Sequence, residues 1–106
     1  MKIKATSLFD PYIDIGEVLA QFFAPHLEVV IHDYSKPKRS VIAVFNGDIT
    51  GRKIGDPLTE IGKARIKGAE LPDRLIGYEN RAPSGKLLRS ASIAIRDNNR
   101  QLVGSF

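Results

Sequence analysis

The sequence predicts an α+β domain, a five-stranded antiparallel sheet with helices on one face and a further helix at the N-terminus. Three observations predict it. Two β-branched runs, residues 28–34 and 40–45, are close enough to pair as a hairpin. Three more strand-like runs near the C-terminus are joined by short polar turns. Helical spacing stands before the first group and again between the two groups.

Residues 7–23 carry the first helical pattern. Phe9, Tyr12, Ile13, Gly16, Leu19, Ala20 and Phe23 recur at the spacing of one helix face. Ser7 is a candidate N-cap; alternatively Asp10 caps the helix and Pro11 takes its first position. Pro25 ends it. Ile15, Val18 and Phe22 are apolar too, so the stripe is wide enough to be covered on two sides, by the domain and by a partner. A homodimer formed through this helix is therefore expected.

The strand at 28–34 leads through the polar turn 35–39 into the strand at 40–45. The stretch from Asn46 to Pro57 then interrupts the regular pattern. It holds three glycines, the adjacent Arg52 and Lys53, and two acids. Asp56 before Pro57 predicts a cap and the first position of a helix from 57 to about 67. Leu58, Ile61 and Ala64 or Arg65 fall on its inner side. Gly62 weakens it by roughly 1 kcal/mol against Ala, and Gly68 is a natural stop.

A third strand is predicted over 74–80, a turn over 82–85, and a longer fourth strand over 86–95. Asp97 to Arg100 form a strong turn signal. Residues 101–106 begin a fifth strand, and there the chain stops. The expectation is a truncated last strand belonging to a piece of a longer protein.

A chain of 106 residues holds one domain at most, here residues 1–106. An apolar share of 42% and a charged share of 26% place it with globular chains and apart from disordered ones. The absence of cysteine excludes disulfides and thiolate metal sites, and fits a reducing compartment. No run approaches the roughly 20 apolar residues of a membrane span. Residues 1–6 lead into no apolar signal region. A cytoplasmic protein with no membrane contact is expected. The net charge of +4 is modest and its basic residues are scattered, which favours solvated turns over a nucleic-acid surface.

The segments Glu28-Val-Val-Ile-His-Asp33, Ser40-Val-Ile-Ala-Val-Phe-Asn-Gly47, Thr50-Gly-Arg-Lys-Ile-Gly-Asp-Pro-Leu-Thr59, Gly85 to Asp97 and Leu102-Val-Gly104 together resemble the YheO-like PAS domain family of bacterial regulators. The match covers nearly the whole chain. The run Gly-Arg-Lys-x-Gly-Asp-Pro, at its offset from Asn-Gly, is the most specific part. The segment 69–73 matches no family pattern. The resemblance implies a PAS fold, in which the last strand lies centrally beside the first. It implies a ligand-sensing or dimerising module of a transcriptional regulator. It also implies a C-terminal helix-turn-helix domain that these residues do not contain, so that DNA would be bound only through that missing domain.

Six residues are candidates for ligand binding. Gly51 and Gly55 let the backbone turn sharply or approach a ligand closely. Arg52, with Lys53 beside it, can hold a carboxylate or phosphate. The alternative is a structural loop in which Arg52 pairs with Asp48 or Asp56. Arg89 shares parity with Ile93 and Ile95, which points it to the apolar side of its strand, where it needs a ligand anion, Asp33 or Glu79 as partner. Ser90 and Ser92 then face solvent or a dimer partner. Tyr78 lines a cavity or is a core tyrosine with its hydroxyl at the edge.

No catalytic residue, metal ligand set or cofactor is expected. His32 and Asp33 are strand neighbours and face opposite ways, and His26 is the remaining histidine. The loop is no P-loop, since no Gly-Lys-Ser/Thr precedes a helix. The expected function is a ligand-sensing and dimerising domain, not an enzyme. The alternative is a ligand-free interaction domain with a packed interior.

Overall fold

A computed structural model of the chain describes residues 7–82 and 84–106. The reading of residues 1–6 as lacking a leader, and Pro83 in the turn at 82–85, fall outside the described residues.

Helix α1 spans Asp10–Phe22, with Pro11 in its first turn. Ser7 does not cap it. Instead the Ser7 amide donates to the Asp10 carboxylate at 3.1 Å and the Phe9 amide donates to Ser7 Oγ at 3.2 Å. Phe9, Tyr12, Ile13 and Ala20 pack on the sheet. Gly16 is buried at the crossing, where a Cβ would stand 2.8 Å from Val29 Cγ1. Only a residue without a side chain lets the helix come that close.

Strands β1 (Val29–Asp33) and β2 (Val41–Phe45) pair antiparallel as predicted, with a short 3-10 turn at Pro37–Arg39 between them. The crossover then leads to α2, which spans Glu60–Ile66, later than its sequence signal suggests. Asp56 is not its cap. The Val41 amide donates to the Asp56 carbonyl and the Gly55 amide donates to the Val41 carbonyl, which ties residues 55–56 to β2. The helix starts once the chain is free of that edge, with Thr59 Oγ1 accepting from the Gly62 amide at 3.2 Å. Gly68 stops it as expected. Its φ is 85°, and the Gly68 and Ala69 amides donate to the Arg65 and Ala64 carbonyls, the Schellman pattern.

Strands β3 (Arg74–Arg81) and β4 (Leu87–Arg96) form a long hairpin with a bulge at Gly77, whose φ is 77°. Strand β5 (Leu102–Ser105) bonds to β1 on one side and β4 on the other. The sheet order is β2-β1-β5-β4-β3, so the last strand is central beside the first. The core lies between α1 and the sheet: Ala20, Val29, Ile31, Ala43 and Ile95, with Phe106 and Phe9 packed against them.

A candidate ligand cavity on the face opposite the first helix

Register pairs sort the side chains into two faces, because residues directly opposite each other point the same way. Ser105 pairs with both His32 and Ala94, while Ser90 pairs with Tyr78 and Ser92 with Leu75. These residues share one face. Ile95 pairs with Gly104 on the other, where Phe9 of the α1 entry packs against Gly104. The first face is arched over by the crossover and α2. Between them lies a half-open cavity of about 360 Å³.

Arg52 and Tyr78 of the six candidate residues line this cavity, and Arg89 borders it from a strand position whose side chain belongs to the opposite face; Gly51, Lys53 and Gly55 do not reach it. Gly51 and Gly55 have φ of 80° and 93°, so they serve the shape of the loop, and Lys53 is exposed. Arg52 makes no ion pair among the described residues, with Asp48, Asp56 or any other acid. The Asp56 carboxylate instead accepts from the Lys53 amide at 3.0 Å. The Arg52 charge is felt by Glu28, His32 and Tyr78, all of which line the cavity.

Arg89 requires a correction. It is exposed, not held against an apolar surface. It faces Glu79 in register but makes no ion pair among the described residues, and the Asp33 carboxylate is engaged by Ser35. The parity with Ile93 and Ile95 is real. However, α1 packs on β1 and β2, and the outer half of the β3–β4 hairpin on that face is left open. There Ile76 is 85% exposed and Leu87 52%. Ser90 and Ser92 are corrected with it: both are half-buried and line the cavity.

His32 is buried, and its Nδ1 lies 2.7 Å from Ser40 Oγ. Burial, helped by the Arg52 charge, pulls its pKa down to about 4, so the ring is neutral at physiological pH. Asp33 points away from it as expected and accepts from Ser35. Burial raises the Glu28 carboxyl, opposed by the Thr50 hydroxyl, which donates to it at 2.8 Å, and by Arg52. Burial also raises the Tyr78 phenol, opposed by Arg65 and Arg52.

Two residues that sequence reasoning did not single out hold this site together. Arg65 is buried, and its guanidinium donates to Ser92 Oγ at 2.8 Å and to the Asp73 carbonyl at 3.3 Å. It pins α2 to β4 beside the cavity. The helical spacing left it as an alternative to Ala64 on the inner face. Asn46 has a left-handed backbone (φ 58°), and its Nδ2 donates to the Ala20 and Leu27 carbonyls at 2.9 and 2.6 Å. It fastens the start of the crossover to the end of α1. The Asn-Gly pair signalled the turn but not these partners.

Among the described residues, no group of three or more His, Cys, Asp or Glu side chains is placed to hold a metal ion, and no helix is long and apolar enough to cross a membrane.

An antiparallel sheet in this strand order, packed by a helix on one face and arched by a crossover on the other, defines the PAS class of α+β domains. The chain belongs to the YheO-like PAS domain family, whose profile matches residues 2–106. It is 35% identical over 95 residues to the uncharacterized protein YheO of Escherichia coli K12, an alignment that covers 88% of this chain and 40% of that protein. YheO of Shigella flexneri matches to the same extent. An uncharacterized protein of Haemophilus influenzae is 24% identical over 98 residues, covering 92% of this chain and 44% of its own. The chain therefore spans less than half the length of these relatives. No solved structure matches it.

Proposed function

We propose that this domain senses a small molecule in a cytoplasmic regulator and carries no catalysis of its own. The observation that carries the reading is Arg52, a cation with no ion-pair partner among the described residues, which lines a half-open cavity of about 360 Å³. A cavity of that size is in the range of roughly 300–1,000 Å³ that small ligands use. A bound molecule biases the arrangement of the crossover and α2, and the rest of the protein reads the shift. A helix-turn-helix domain binding DNA is the readout that the resemblance implies, and the greater length of the relatives leaves room for one.

The test is a thermal-shift screen of a metabolite library against the protein and a cavity-plugged variant, Ser90→Trp. At least one compound raises the melting temperature of the first by several degrees and leaves the second unmoved. A library without any such compound would refute sensing.

A second reading rests on its own observation. Ile15, Val18 and Phe22 of α1 are 56, 66 and 80% exposed, and form an apolar stripe turned away from the core. Such a stripe fits a homodimer built on this helix, with or without a ligand. Light scattering should give a dimer mass, and Val18→Glu with Phe22→Glu should give a monomer that stays folded.

A further inference from the structure

We infer that the molecule held in this cavity is a small zwitterion, with its carboxylate on Arg52 and a protonated amine on Glu28. This rests on the sensing reading and names the chemistry of its ligand. Arg52 and Glu28 line the same cavity with opposite charge. Each is close enough for the Arg52 charge to act on the Glu28 carboxyl, yet they make no ion pair with each other. Glu28 accepts from Thr50, whose hydroxyl and backbone amide both act on it, which leaves acceptor capacity for a further partner. Charges drawn out of bulk water need partners. The nearest remedy, a direct Glu28–Arg52 bridge, is not taken. A ligand that carries both signs, and sits between them, supplies both partners at once.

The remaining walls narrow the class. His32 is neutral and adds no charge, while its Nδ1 is engaged with Ser40; Glu60 and Arg89, both exposed, add one charge of each sign at the rim. Tyr78, Asn80 and Ser90 offer neutral hydrogen-bonding groups, and Val30, Ile49 and Leu88 offer apolar surface. An anion without an amine, a phosphate ester included, would satisfy Arg52 and face Glu28 with like charge. An amine without a carboxylate would do the reverse. The volume suits a single metabolite and not a peptide chain.

Titration calorimetry on the protein tests this with free α-, β- and γ-amino acids, each run beside its des-amino acid and its decarboxylated amine. At least one zwitterion should bind tighter than both of its analogues, by on the order of tenfold to a hundredfold. Glu28→Gln should erase the advantage over the des-amino acid, and Arg52→Gln the advantage over the amine. Des-amino acids or amines that bind as well as the zwitterions overturn the inference and leave sensing intact. So does a library hit of another chemistry with no zwitterion bound. No binding by any compound, in panel or library, overturns both. The comparison among analogues uses the unaltered protein, so it decides the matter even if a variant folds poorly.

Discussion

The two faces of one sheet are built on opposite terms. Under α1, the strands contribute Val29, Ile31, Ile95 and Gly104 and the helix contributes Gly16, and at both glycines no Cβ would fit. Over the cavity, the same strands contribute His32, Ser90, Ser92 and Ser105. One face is filled to the point of excluding a methyl group. The other is lined by small and polar residues that leave room. The difference teaches that stability and binding are divided by strand parity: alternate residues of a single strand serve different ends.

The largest expected effect breaks the filled face. Ile31 is fully buried, and Ile31→Ala should cost about 2–5 kcal/mol, measured by urea unfolding. Gly104→Ala attacks the same face from the other direction. Its Cβ would meet the His32 carbonyl and the Phe9 ring, and a backbone atom cannot swing aside. A loss of about 1–3 kcal/mol or more is expected. Little change for either variant would mean that α1 is not seated on the sheet as described.

The hollow face should reveal itself by pH. The folded pKa of His32 is depressed to about 4 from 6.5, so between those values the unfolded chain binds more protons than the folded one. Stability then rises with pH across that window, is complete above about 6.5, and is lost as pH falls towards 4, by up to about 3 kcal/mol. Glu28 acts with the opposite sign. Its raised carboxyl holds its proton better in the folded state, so its contribution fades as pH rises through its folded value. Unfolding free energies from pH 4 to 7 for the protein and His32→Asn separate the two. The variant should lose the steep rise. An equal slope in both would show that His32 is not held neutral by burial.

The same comparison shows which parts of the molecule were legible in the sequence. Local signals were: the β1–β2 hairpin, the Gly68 stop and the tight turns follow from residue type alone. So did the strand order, through the family resemblance. The start of α2 did not, because Asp56-Pro57 is a sound cap signal that the hydrogen bonds to Val41 override. Arg89 was assigned to the correct face and the wrong environment. Parity says which way a side chain points; it does not say how far α1 reaches across the sheet. Arg65 and Asn46 escaped notice because their partners, Ser92 at 27 residues' separation and Ala20 at 26, are brought together only by the fold. The candidate site was legible in two residues, Arg52 and Tyr78; that Arg52 shares a cavity with Glu28 depends on the path of the crossover.

The smallest expected effect sharpens the contrast. Ser90→Val adds apolar bulk to a half-buried cavity residue on the ten-residue strand β4, where β-branching is favoured. Because space is available there, the change in unfolding free energy should stay within about 1 kcal/mol, and its sign should be favourable. Adding a single methyl at Gly16 tests the other face at equal chemistry. Alanine is the better helix former by about 1 kcal/mol, yet its Cβ would press on Val29 and on the Phe106 ring at 3.1 Å. Gly16→Ala should therefore be destabilising despite its propensity. If Ser90→Val cost as much as Gly16→Ala, the cavity face would be as tightly filled as the core, and the ligand-free interaction domain would become the better account of this fold.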